Sequence, residues 1–243
     1  YTYDLFGRQV ATTDPDKGST ATEYNDLDQV TSTTPNADAN RKLLYEYDEL
    51  GRKTSMWQKD KTDANKLAAW TFDTAAKGKP YEATRFDGGA ATGKAYTKKI
   101  TAYDYLYNAT NTQLLLPEGD SLRAAGVGPT LTSTAVYQVD GTVKQASSPA
   151  AGGLPFETVS YDYNATGQQL KSSGTTDYLR DATFSPQGDL RELRLGTSDK
   201  LVTITNSYEK GTRRLTGIKV ADSVHSYPLQ DLAFTQDDAG NVT

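Results

Sequence analysis

One histidine, His225, stands among 243 residues, and there is no cysteine. Any imidazole chemistry must run through His225. Thiolate, disulfide and Cys-ligated zinc or iron–sulfur chemistry is excluded. The histidine lies in Ser223-Val224-His225-Ser226-Tyr227-Pro228, with hydroxyls on both sides. A Ser-His-Asp relay needs a nucleophile held on a defined turn, and the chain has no Gly-x-Ser-x-Gly element. His225 therefore reads as an ordinary surface or strand residue. A hydrolase built on it is the weakest functional expectation.

The carboxylates are more numerous but are spaced for turns. Asp14-Pro15-Asp16 and Asn25-Asp26-Leu27-Asp28 lack the alternating acidic ligands and distal Glu of a calcium loop. Capping of local backbone N–H groups accounts for them without a metal. Asp87-Gly88-Gly89-Ala90-Ala91-Thr92-Gly93 has the spacing of neither nucleotide motif and reads as a flexible loop. Lys94, Lys98 and Lys99 flank Tyr96, but the net charge is −5, so this cluster reads as a solvated segment. The same acidity argues against a nucleic-acid surface. Asn108-Ala109-Thr110, Asn164-Ala165-Thr166 and Asn241-Val242-Thr243 fit the glycosylation pattern. Two of them fall on turns of the repeat described next. No cofactor, metal ligand or catalytic residue is expected.

What the sequence has in excess is tyrosine and threonine, 16 and 34 residues. Hydrophobic residues are only 36% and mean hydropathy is −0.66, yet aromatics reach 10%. β-branched and aromatic side chains suit a half-buried pleated surface. No apolar run approaches the roughly 18–20 residues of a membrane-spanning helix.

The tyrosines recur in a pattern. Tyr1-Thr2-Tyr3-Asp4-Leu5-Phe6-Gly7-Arg8 matches Tyr45-Glu46-Tyr47-Asp48-Glu49-Leu50-Gly51-Arg52. Tyr161-Asp162-Tyr163-Asn164-Ala165-Thr166-Gly167 is a third copy, and Tyr105-Leu106-Tyr107-Asn108 reads as a fourth. Weaker copies start at Tyr24, Trp70, Tyr137, Phe184, Tyr208 and Phe234, which brings the units to ten. Residues two apart on a strand share a face, so each Tyr-x-Tyr predicts a pair of aromatic plates. The Asp or Asn that follows starts a turn. Asp4 and Asp48 take that role, and Gly7, Gly51, Gly141, Gly167, Gly188 and Gly240 supply the positive φ. Proline turns such as Thr34-Pro35-Asn36 separate the units. The expected fold is all-β: a single repeat region over 1–243 of about ten antiparallel hairpins, with a short helix near Leu122–Ala125 ended by Gly126. The chain opens on Tyr1 and closes inside a repeat, so it reads as a piece of a longer polypeptide.

The motif Tyr-x-Tyr-Asp-x-x-Gly-Arg with its proline turns resembles the YD or RHS (rearrangement hot spot) repeat. That repeat occurs in bacterial polymorphic toxins, in the TcB–TcC component of insecticidal toxin complexes and in teneurins. The resemblance implies a strip of hairpins wound as a spiral sheet into a hollow β-shell. In bacterial members the shell encloses a C-terminal toxin domain, and in teneurins a related barrel belongs to a cell-surface receptor. It implies a secreted or cell-surface setting. The partners it implies are other shell segments and an enclosed toxin or effector, with self-association through open sheet edges. Some members cleave themselves after the shell; no matching segment is found, and no catalytic residue is carried over. The alternative expectation is an extracellular module that binds carbohydrate or protein through exposed tyrosines.

Overall fold

The computed structural model describes all 243 residues, Tyr1–Thr243. They form nineteen strands, two single-turn 3-10 segments and one four-residue helix, Ser121–Ala124. The contacts divide the chain into two compact units: Tyr1–Thr134 with Pro149–Pro155, and Ala135–Ser148 with Phe156–Thr243.

The first unit holds β1 (Thr2–Tyr3), β2 (Gln9–Asp14), β3 (Gly18–Tyr24), β4 (Val30–Pro35), β5 (Leu43–Tyr47) and β6 (Lys53–Gln58). It continues with β7 (Lys66–Phe72), β8 (Pro80–Asp87), β9 (Lys94–Tyr103), β10 (Ala109–Leu115) and most of β11 (Thr130–Tyr137). Each strand pairs antiparallel with the next in sequence, from β1–β2 to β10–β11. The second unit holds β12 (Val143–Ser148), β13 (Glu157–Tyr163), β14 (Gln169–Ser173) and β15 (Asp177–Phe184). Then follow β16 (Leu190–Leu195), β17 (Val202–Tyr208), β18 (Leu215–Asp222) and β19 (Gln230–Ala233). These too pair antiparallel in strict succession. Most connections between neighbours are too short for a crossover, which leaves antiparallel pairing; the longer one after β10, which carries the helix, also returns antiparallel.

Each ladder is one layer thick. Buried apolar side chains are therefore few: Trp57, Ala68, Leu116 and Ala182. Small polar residues share that depth at Ser32, Ser55, Ser147 and Ser172. Most strand side chains are half-buried, which suits the Thr-rich, Tyr-rich composition.

Eight turns share one geometry, which Asp48–Arg52 illustrates. The Asp48 N–H donates to the Arg52 carbonyl at 2.9 Å, and the Gly51 N–H donates to the Asp48 carbonyl at 2.9 Å. This is a type I turn followed by a left-handed residue, Gly51 at φ 76, which creates a bulge on rejoining the strand. The fourth position is glycine in six of the eight; Asp28 and Tyr107 take it in the others, at φ 59 and 62. Two turns are longer, Asp73–Lys79 and Glu209–Arg214. In the latter the left-handed residue is Arg213, not Gly211.

The expected plates at Tyr105 and Tyr107 require correction. The turn there is Asp104–Asn108, because Asp104 Oδ1 accepts the N–H groups of Leu106 and Asn108 at 2.9 Å each. Tyr105 and Tyr107 lie on its tip and are exposed, and Tyr103 holds the plate position. Tyr1 and Tyr3 are also exposed, at 82% and 58%. Tyr3 lies on β1, whose one partner strand is β2, so no hairpin covers it on the other side. The glycine-rich loop after β8 is packed rather than loose. The Ala90 N–H donates to the Asp63 carbonyl at 2.6 Å, and a Cβ at Gly89 would sit 2.1 Å from the Ala64 carbonyl oxygen. The short helix forms as expected, with the Asp120 side chain capping the Leu122 N–H at 2.8 Å.

Candidate functional site

The conserved geometry of these turns is the most organised polar feature of the chain. Number each five-residue turn 1 to 5. The position 1 side chain caps the backbone: Asp4 Oδ1 accepts from Phe6 N and Arg8 N at 2.9 Å each. Its second oxygen accepts from Arg8 Nε, position 5, at 2.7 Å. Asp48 and Arg52 repeat this arrangement with the same Nε distance. Other turns keep the logic with different letters. Asn164 pairs with Gln168, Asp104 with Asn108, and Asp237 with Asn241. At Ser185–Asp189 the acid has moved to position 5, and Ser185 Oγ donates to it at 2.9 Å.

Position 5 also reaches the next turn. Arg8 Nη1 donates to the Asn25 carbonyl at 3.1 Å and to Asp28 at 2.7 Å. Arg52 forms a forked pair with Asp73, at 3.0 and 2.5 Å. Gln168 donates to the Gly188 carbonyl, and Arg214 to the carbonyls of Asp237 and Asp238. From Ser185–Asp189 the link runs the other way in charge, with Arg213 of the following turn donating to Asp189 at 2.5 Å. These guanidinium groups also stack: Arg8 lies 4.9 Å over Tyr24, and Arg52 lies 4.3 Å over Phe72.

A second tie comes from the aromatic just before each turn. Its hydroxyl donates to the backbone carbonyl just after the preceding turn. Tyr24 reaches Gln9, Tyr47 reaches Val30, and Tyr103 reaches Pro80, at 2.9, 2.8 and 2.5 Å. Tyr163 reaches Val143 and Tyr208 reaches Leu190, at 3.0 Å each. Gln236 takes the tyrosine's place before the last turn and donates to the Leu215 carbonyl at 2.8 Å. Phe184 and Phe72 hold the slot without a hydroxyl. Tyr137, Tyr161, Tyr45 and Phe234 are half-buried on their strands or beside them. Among them, the Tyr45 ring carries Lys53 Nζ 3.8 Å from its centre.

Electrostatics follow from this wiring. Arg52 and then the Gly78 N–H hold Asp73 down to about 2. At Asp4 and Asp48 partial burial works against ionisation, but the turn N–H groups and the arginine outweigh it and both carboxyls are lowered. Asp189 is lowered chiefly by Arg213. Burial pushes the Tyr47 and Tyr163 hydroxyls up.

The remaining polar candidates make local contacts. His225 Nδ1 lies 2.8 Å from Asp222 Oδ2, which fixes the ring on its own loop. Ser223 Oγ donates to the Asp199 carbonyl at 3.2 Å and accepts from Leu201 N at 3.1 Å. Asp14 caps Asp16 and Lys17, and no group of three His, Asp or Glu side chains converges. The amide nitrogens of Asn108, Asn164 and Asn241 all donate within their turns. Lys94 donates to the Gly119 carbonyl, and Lys99 pairs with Glu82 at 2.9 Å.

Sequence reading found the turn acids and glycines and put Gln236 at the second aromatic site of the last unit, but missed the reach of position 5 and Tyr103. Tyr103 carried a signal: Tyr-Asp also opens the turns at Asp4 and Asp48. That Gln236 stands in for a tyrosine hydroxyl is recognisable only from its acceptor.

Successive antiparallel hairpins, tied turn to turn within each unit, define the class: a β-hairpin repeat. No protein-family model matches the chain. No curated protein resembles it significantly. Solved structures do. TcdB2-TccC3 matches with a TM-score of 0.77 at 19% identity over 99% of this chain. The same protein without its hypervariable C-terminal region gives 0.77 at 18%, also over 99%. The Photorhabdus luminescens Tc holotoxin pore gives 0.76 at 18% over 99%. The chain spans 12% of the length of each. Its fold is thus that of a stretch of the Tc toxin chains, in agreement with the RHS/YD resemblance of its sequence.

Proposed function

We propose that this chain is a non-enzymatic wall segment of an RHS/YD-type shell, separating an enclosed toxin or effector domain from its surroundings. One observation carries the reading. Tyr24, Tyr47, Tyr103, Tyr163 and Tyr208, each just before a turn, are half-buried, and their hydroxyls are bound to the neighbouring hairpin, so they serve cohesion and not a ligand. The fold likeness to TcdB2-TccC3 supports the same conclusion. A sugar-stacking surface would need those rings free. The wall's partners are further shell segments and the enclosed domain, in an extracellular or cell-surface setting. Self-association through unpaired strand edges follows from an open strip.

The test is protease protection in the assembled shell that contains this segment. The enclosed domain should resist digestion. Tyr47→Ala with Tyr163→Ala, which removes two ties, should make it cleavable. Equal cleavage in wild type and variant would refute the wall.

A further inference from the structure

The two faces of the first unit treat charge differently. Strand register puts Glu23, Glu46 and Glu82 on one face. Each has its cation there: Lys42, Lys61 and Lys99, all at 2.9 Å. The other face is apolar in its middle, with Met56, Trp70 and Leu114. Arg85 and Lys98 stand on that apolar face, exposed, and neither has an ion-pair partner. Of the three lysines around Tyr96, Lys94 is held by the Gly119 carbonyl and Lys99 by Glu82, so Lys98 is left over. Arg85 leans on the Tyr96 ring, its Cζ 4.7 Å from the centre. Asp120 is close by but engaged: it accepts from the Tyr96 hydroxyl at 2.6 Å and from Leu122 N at 2.8 Å. Asp87, on the same face, closes β8 opposite Lys94.

Ala68 and Ala83 are diagonal neighbours on β7 and β8, and their short side chains leave a recess. Its volume is about 220 Å³, and the Trp70 and Tyr96 rings wall it together with Arg85 and Lys98. Small-molecule pockets run to about 300–1,000 Å³, so this recess is sized for one side chain. We propose that it takes one apolar side chain of an acidic peptide segment from a partner protein, whose flanking carboxylates pair with Arg85 and Lys98. Charge complementarity selects this occupant. The two cations are diagonal neighbours across β8 and β9, about 7–8 Å apart at their roots, with the recess beside them. An apolar side chain seated there brings acids on either side of it onto the two cations. A basic segment would meet two like charges. A neutral one would cover both cations and pair neither. This goes beyond the wall reading, because it rests on strand register and not on what is enclosed.

Trp70 reports on the recess, since the other tryptophan, Trp57, lies on the opposite face. The chain is titrated with acetyl-Asp-Glu-Phe-Glu-Asp-amide and with acetyl-Lys-Lys-Phe-Lys-Lys-amide, followed by tryptophan emission and by calorimetry. The acidic peptide should bind, shift the emission and weaken as salt rises; the lysine peptide should not bind. Arg85→Glu with Lys98→Glu should weaken the acidic peptide about tenfold or more and admit the lysine peptide instead. Ala83→Leu, which fills the recess, should lose the acidic peptide while circular dichroism stays unchanged. No binding of the acidic peptide to wild type, equal binding to the double Glu variant, or full binding to Ala83→Leu would overturn the proposal. Equal affinity for the same peptide with Ala in place of Phe would overturn it in favour of charge alone. Phenylacetate binding as tightly as the peptide would overturn it in favour of a small-anion site. Each of these failures leaves the wall reading standing, since that reading is tested by protease protection.

Discussion

At the scale of single residues, cohesion comes from a few side chains that each reach one hairpin back or forward. Tyr47 is the clearest, with its hydroxyl on the Val30 carbonyl. Tyr47→Phe keeps the ring and deletes one hydrogen bond, so it should cost about 1 kcal/mol, read by urea denaturation. Phe184 already stands in the equivalent slot, so the fold tolerates the change. The Asp48–Arg52–Asp73 chain sets a pH dependence. Both carboxyls titrate below their ordinary range, Asp73 at about 2. Their contribution is therefore complete above pH ~4, the unfolded value, and is lost as pH falls through the folded values. Between pH 4 and 2 the melting temperature should fall less steeply in Arg52→Leu than in wild type. Parallel slopes would show that the guanidinium does not hold these acids down.

At the scale of the element, the turn is the unit that the sequence spells out. Asp at position 1, Gly at position 4 and Arg at position 5 could be read directly at Asp4–Arg8 and Asp48–Arg52, because each has one dominant local reason to be there. The misplaced turn at Tyr105–Asn108 shows where that legibility ends. Two tyrosines two apart looked like a strand, but Asp104 had already begun the turn, and Tyr107 accepts the left-handed conformation that glycine usually takes. The tyrosine ties, and Gln168 on Gly188, were hidden because their acceptors are backbone carbonyls, which no residue type announces; the pairs Arg8–Asp28 and Arg52–Asp73 were hidden because their partners stand 20 and 21 residues apart. Gly51→Ala should cost about 1–2 kcal/mol from its positive φ alone. Gly89→Ala should cost more than Gly51→Ala, since its Cβ also collides with the Ala64 carbonyl. Thermal melts of the two variants give the ranking.

At the scale of the whole molecule, a ladder in which each strand chiefly contacts the strands beside it behaves as a one-dimensional array. Damage should stay local. Trp57, buried between Lys61 and Lys66 at 5.4 and 5.2 Å from its ring, anchors the middle of the first unit. Trp57→Ala should cost about 3–5 kcal/mol there. Hydrogen exchange should accelerate in β5 to β8 while β15 to β18 keep their protection. Uniform loss of protection along the chain would mean that the array unfolds as one block.

The tyrosine and glutamine ties all end on main-chain oxygens. A hairpin can therefore change the side chains it shows to its successor without breaking the bond that holds the two together. Such a ladder is grammatical rather than lexical: it constrains where a carbonyl stands and leaves the vocabulary free to drift. That freedom is compatible with a chain sharing 19% of its residues with TcdB2-TccC3 and tracing the same path over 99% of its length.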